Sequence, residues 1–327
     1  MSVRIVALLD TSVASLNKGD GIIMDAVHRE MDSAFEHDFV IDMPTHTVSF
    51  PPLKSFMWSR AKAISSASIK LIGGTDIFWP NMLMRPNPLF NISFLNYRPF
   101  KGSIFCGVGM NSKKGSKKLN FYSKALWKRV LSRDYIHSTR DEATKEALES
   151  MGFKAINTGC PTMWGLTSEH CATIPHEKAP SVVTALSDKR NPEADKGLLE
   201  LLLKQYETVN FWPQGHHDYE YLVSLGLSDK VEVVNPSVSG YRSLLQTHDL
   251  DYVGPRLHAG VFALQHAKRS LILGVDHRAQ TFAQEVGLPF EHRTNFEGIE
   301  RWIMQPYTTD IHMDFDAINA WKAQFER

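Results

Sequence analysis

Disulfide chemistry, membrane-spanning segments and surplus charge of either sign are all missing from this chain. Its 327 residues include three cysteines, Cys106, Cys160 and Cys171, with no C-x-x-C pair among them. That excludes a disulfide-stapled scaffold and fits a reducing cytosol. No apolar run approaches the ~18 residues of a spanning helix. The first one, Val3–Leu9, ends at Asp10 and is too short for the core of a signal peptide. The chain is therefore expected to be soluble and cytoplasmic. Lysines plus arginines equal aspartates plus glutamates at 36 each, so the electrostatic footprint of a nucleic-acid binder is lacking. The same balance gives no independent sign of membrane attachment.

Several catalytic signatures are missing too. There is no Gly-Lys-Ser/Thr phosphate loop, no G-x-G-x-x-G dinucleotide turn and no G-x-S-x-G nucleophile elbow. None of the cysteines stands in a nucleophile signature. His216-His217-Asp218 is the densest group of potential metal ligands, but adjacent histidines lack the i, i+4 spacing that puts two ligands on one helix face. No metal is expected.

With 43% hydrophobic and 22% charged residues, the chain can build substantial cores, and its length suits about two domains of roughly 150 residues. Short apolar strands alternate with helical patterns throughout. In the first half, strands are expected at Val3–Leu9, Asp38–Met43, Ile69–Ile72 and Ser103–Val108, with helices at about 22–31, 53–65 and 121–131. Ser138-Thr-Arg-Asp141 reads as a capping box opening a helix that runs to Gly152 and puts Arg140 in its first turn. The polar stretch Leu166–Pro180 reads as a linker. A second series follows, with strands at Ser181–Leu186, Val209–Trp212, Val231–Val234, Asp251–Val253 and Leu271–Val275. This alternation predicts an α/β protein of two Rossmann-like, doubly wound domains facing across a cleft. The expected boundaries are 1–170 and 171–327, with the last helix packing back on the N-terminal domain.

Parallel sheets bind ligands where strands give way to helices, and several motifs fall at such turns. Asn17-Lys-Gly-Asp-Gly21 follows the first strand, Gly73-Gly74-Thr75-Asp76 the third, and Gly107-Val-Gly109 the fourth. Each is also an ordinary tight turn or helix cap. The most informative is Asp251-Tyr-Val-Gly-Pro-Arg-Leu-His258, where an always-charged guanidinium stands two residues from a titratable imidazole. The pair suits an anionic substrate that must gain or lose a proton. The plainer reading is a surface arginine and a histidine that caps or packs locally.

Taken in order, Asn17-x-Gly19-Asp20, Gly73-Gly74, Arg140-Asp141, Arg256-Leu257-His258-Ala259, Asp276-x-Arg278 and Gly287-Leu288 resemble the polysaccharide pyruvyl transferase family. The likeness runs from about residue 5 to 290. This chain has Thr75 where the family often has a third glycine, and Arg278 where it often has lysine.

The resemblance implies a fold similar to GT-B glycosyltransferases and transfer of pyruvate from phosphoenolpyruvate to a sugar as a ketal. His258 would be the general acid. Arg256 and Arg140 would clamp the donor's phosphate and carboxylate, with Leu257, Asp276 and Arg278 beside them. Asn17, Asp20, Gly73 and Gly74 would belong to the acceptor side or cleft, and Trp79, Trp164 and Trp212 are candidates for stacking on a sugar or for the core. The scheme requires no cofactor. Its partners are phosphoenolpyruvate and a glycan or sugar acceptor; a lipid-linked acceptor would bring the enzyme to a membrane surface without a transmembrane segment. Two rival readings are a GT-B-type glycosyltransferase with a nucleotide-sugar donor, and a non-catalytic sugar- or phosphate-binding protein.

Overall fold

The computed structural model describes residues 3–51, 54, 57–83, 89–111, 118–275, 280, 283 and 286–326. The chain divides into two compact units. Unit 1 comprises residues 1–15, 23–164 and 314–327; unit 2 comprises 16–22 and 165–313.

Unit 1 is built on a parallel sheet in the order β2 (Phe39–Pro44), β1 (Ile5–Asp10), β3 (Ile69–Gly73), β4 (Ser103–Cys106). Strands β1, β3 and β4 are apolar and almost wholly buried, as expected of parallel strands covered on both faces. A short parallel pair, β5 (His137–Thr139) and β6 (Ala155–Asn157), continues the series. The core gathers Leu9, Ile72, Phe78, Phe90, Phe100, Phe105 and Trp127, with aromatic rings meeting edge to face around Trp127.

Unit 2 carries six parallel strands in the order β12 (Phe290–His292), β11 (Ser270–Gly274), β10 (Leu250–Gly254), β7 (Ser181–Thr184), β8 (Thr208–Phe211), β9 (Glu232–Val233). Numbered one to six along the chain, that is the spatial order 3-2-1-4-5-6 of a Rossmann sheet. The order reverses between β7 and β10, so the crevice for a ligand lies beyond the carboxyl ends of those two strands. Helix α6 (Pro192–Gln205) shows why the crossovers form here. Asn191 accepts the Ala194 N–H at 3.2 Å, Pro192 stands in the first turn, and Leu198 and Leu202 pack on Val182, Val209 and Val253.

Several local expectations are corrected. Helix α1 (Lys18–Phe35) starts at Lys18 rather than Ile22, so Gly19 and Asp20 lie in its first turn. Helix α2 spans Ser59–Ser66, shorter than the expected 53–65 run, and Leu53 lies outside the described residues. Ser138 is a strand residue, and the cap of α4 (Glu142–Glu149) is Asp141, whose side chain accepts the Thr144 N–H at 2.8 Å. Arg140 therefore precedes the helix. The supposed linker contains helix α5 (Ser168–Cys171) and buries Leu166, Cys171 and Ile174.

Candidate functional site

At the switch point of unit 2, β10 ends at Gly254 and the chain turns through Pro255 to Arg256, the N-cap of α9 (Leu257–Gln265). The buried Tyr252 hydroxyl holds the turn, donating to the Arg256 carbonyl at 2.8 Å and accepting from its N–H at 3.2 Å. Burial raises the Tyr252 pKa, which keeps that donor protonated.

The Arg256 side chain is only 10% exposed, and its guanidinium is extensively bonded. Nε donates to the Leu186 carbonyl at 2.6 Å, just past the end of β7. Nη2 donates to both carboxylate oxygens of Asp218, at 2.8 and 3.0 Å. Nη1 donates to Asp188 at 3.1 Å. Asp218 opens helix α7 (Asp218–Ser224) and also accepts the Gly215 N–H at 2.7 Å. Burial pushes its pKa upward, while Arg256 and that N–H pull the other way. Arg256 thus ties the ends of β7, β8 and β10 together.

The same loop holds the N-terminal motif. Gln214 donates from Nε2 to Asn17 Oδ1 at 2.8 Å and accepts the Lys18 N–H at 2.8 Å. Asn17 Oδ1 also takes the Gly19 N–H at 3.0 Å, and Asn17 bridges to Gly215 as an antiparallel pair. Gly215 must lack a side chain, since a Cβ there would lie 2.8 Å from both Arg256 Nη2 and Asp218 Oδ1. Asn17 and the buried Asp20, expected with the N-terminal domain, therefore belong to unit 2, and Asn17 reaches the Arg256 turn through Gln214–Asp218.

Leu257 and His258 occupy the first turn of α9, both half-buried. His258 is inside the helix rather than its cap. Amides of a helix's first turn lack intrahelical partners and favour an anion there. Asp276 and Arg278 lie outside the described residues.

Unit 1 gathers its candidates at the carboxyl ends of β3, β4 and β5. The Gly74 N–H donates to the Cys106 carbonyl at 2.8 Å, Gly109 N–H to Thr75 O at 2.9 Å, and Arg140 N–H to Val108 O at 3.2 Å. Gly74 and Thr75 have φ of 52° and 56°, which accounts for a glycine preference at both positions and leaves Thr75 in a conformation unfavourable to a β-branched residue. Arg140 pairs with Asp76 through Nη2 and lies 3.8 Å from Asp141. Its side chain lies against Gly109, where a Cβ would come within 2.2 Å of Nε. Burial opposes the charge on Arg140, but the neighbouring acids outweigh it and raise the pKa.

Two aromatic candidates belong to the core. Trp212 is fully buried and stacked on Tyr241 with centroids 4.2 Å apart, and Trp164 is buried against Trp321 with its Nε1 donating to Thr158 O at 2.8 Å. Trp79 is half-buried beside the unit 1 core. Among the described residues, no group of three His, Cys, Asp or Glu is arranged to hold a metal ion, and no helix is long and apolar enough to cross a membrane. Asp188, Asp218 and Gln214 are not evident as partners in the sequence. The available signal was an unexplained requirement: an arginine buried at one strand end needs a counter-charge from a neighbouring strand end.

No curated protein matches the chain significantly. Among solved structures, it is similar to S. aureus MnaA in complex with UDP, with a TM-score of 0.51 and 11% identity over 94% of this chain and 92% of that one. The UDP-GlcNAc 2-epimerase of Methanocaldococcus jannaschii, solved with UDP-GlcNAc and UDP, gives a TM-score of 0.51 and 11% identity over 95% of each chain. At these identities the likeness concerns the fold. It agrees with the expected class of two Rossmann-like units, similar to the GT-B glycosyltransferases. A family model described as polysaccharide pyruvyl transferase matches residues 17–277. That span starts at Asn17, includes Arg140, Arg256 and His258, and takes in most of the chain; the protein belongs to the polysaccharide pyruvyl transferase family.

Proposed function

We propose that the protein transfers pyruvate from phosphoenolpyruvate to a sugar as a ketal. The observation that carries this reading is the Arg256-Leu257-His258 turn at the topological switch point of unit 2, inside the span matched by the family. A guanidinium fork recognises phosphate or carboxylate in a way that suits phosphoenolpyruvate.

In this reading His258 gives a proton to the methylene carbon of the enol. A sugar hydroxyl attacks the adjacent carbon, losing its proton to solvent or to the histidine. Phosphate then departs with its bridging oxygen, and a second hydroxyl closes the ring on the same carbon and releases the second proton. One phosphoenolpyruvate and one diol become one ketal and one phosphate. Asp218 keeps Arg256 oriented, and Tyr252 holds its backbone at the turn. Arg140 is assigned as a second anion-binding residue, on unit 1. Among cellular compartments, the cytoplasm would supply phosphoenolpyruvate.

The rival is a nucleotide-sugar transferase, since the two structural neighbours were solved with UDP. Thermal unfolding separates them. Phosphoenolpyruvate at ~100 times Kd should stabilise the protein by about 2.7 kcal/mol, and Arg256→Lys should abolish most of that shift while sparing the charge opposite Asp218. Stabilisation by UDP- or GDP-sugars alone would reject the pyruvyl reading. Acceptor-dependent phosphate release should fall about 10²- to 10⁴-fold in His258→Ala, and an unchanged rate would remove His258 from the scheme.

A further inference from the structure

The contacts around Arg256 differ in how readily they can be exchanged. The Leu186 carbonyl is backbone, and Asp218 is buried, with its side chain 7% exposed and a Gly215 N–H bound to it. Neither can leave without opening the end of the sheet. Asp188 is different: its side chain is 73% exposed, on the stretch that follows β7. The neighbouring Ser187 Oγ accepts the Lys189 N–H at 3.1 Å, and the Lys189 carbonyl accepts Arg293 Nη1 at 2.7 Å, so backbone on the far side of Asp188 is held while its carboxylate stays on the surface.

We infer that Asp188 is a specificity-determining residue that occupies the exchangeable Nη1 edge of Arg256 until a stronger anion displaces it. This rests on the proposed role of Arg256 in anion binding. A solvent-exposed ion pair is weak and easily exchanged. A dianionic phosphoryl group offers more charge and more acceptor oxygens, so it can displace the carboxylate. A monocarboxylate offers only what Asp188 already supplies. Asp188 would therefore admit a phosphorylated donor and reject a plain carboxylic acid, and after phosphate is lost it would help to clear the site.

The test uses the full chain and its Asp188→Asn variant, titrated calorimetrically with inorganic phosphate, phosphoenolpyruvate and pyruvate. The substitution lies on the surface and keeps the side-chain volume, so the fold should be retained. Phosphate and phosphoenolpyruvate should bind roughly twofold to fivefold more tightly to Asp188→Asn, and pyruvate should gain measurable binding. Unchanged or weaker phosphate binding would overturn the inference even if the wild type binds phosphoenolpyruvate well. Tighter phosphate binding without any response to phosphoenolpyruvate would keep the role of Asp188 and reject the pyruvyl donor. An absence of binding by both phosphate and phosphoenolpyruvate, in both forms, would overturn both.

Discussion

Arg256 and Arg140 hold corresponding places in two parallel sheets, each just beyond a strand and just before or at a helix cap, yet they are embedded very differently. Arg256 is 10% exposed and braced by a buried carboxylate, a backbone carbonyl and a surface carboxylate. Arg140 is 28% exposed, and its partner Asp76 is 33% exposed. Arg256 sits where the strand order reverses, whereas the reversal in unit 1 lies at β1 and β3, away from the β5 end that carries Arg140. The same residue type is thus an architectural tie with one exchangeable edge in unit 2 and a shallower ion pair in unit 1. An arginine at a ligand-binding strand end need not be free to be functional; most of its bonds set its direction.

Removing the acidic partners is the strongest way to break this comparison. Asp218→Ala leaves a buried guanidinium with only the exposed Asp188 as counter-charge, and should cost about 3–5 kcal/mol in urea unfolding. Asp76→Ala, at a pair that solvent reaches, should cost only about 1 kcal/mol. Equal costs would mean that burial does not distinguish the two sites.

Acid should weaken the protein through a buried histidine of unit 1. His137 in β5 is fully buried, with Phe105 N–H donating to Nδ1 at 3.1 Å and Nε2 donating to the Ser132 carbonyl at 2.9 Å. Desolvation lowers its pKa to about 4 from the ordinary 6.5. Between those values the unfolded chain takes up a proton that the folded one refuses, so stability falls as pH drops through this window. The loss should approach about 3 kcal/mol by pH 4, and His137→Gln should flatten that part of the pH profile. An unchanged profile would assign the acid sensitivity to other groups.

Much of the scaffold is legible in the sequence because buried parallel strands are short apolar runs. Leu271–Val275 and Ser181–Leu186 each overlap a strand within a residue or two at most ends. Elements decided by tertiary contacts are less visible. Ser138 looks like a capping residue, but its hydroxyl accepts the Gly107 N–H at 2.7 Å and meets Thr158 Oγ1 at 2.6 Å inside a strand pair. The glycines of Asn17–Gly21 look like a turn, yet α1 begins at Lys18. The positions of Arg256 and His258 beyond β10 follow from local pattern alone. The partners do not, because Asp218 lies 38 residues and Asp188 68 residues from Arg256 along the chain. The place of Asn17 in unit 2 is hidden for the same reason: its partner Gln214 is 197 residues away.

If the switch point of unit 2 holds the donor as proposed, phosphoenolpyruvate meets the exchangeable Nη1 edge of Arg256. A crystal structure with phosphoenolpyruvate tests it most directly. The account predicts the phosphoryl group on Arg256 Nη1, Asp188 turned away, and Asp218 still paired with Nη2. Phosphoenolpyruvate bound elsewhere, with Asp188 still on Arg256, would contradict it.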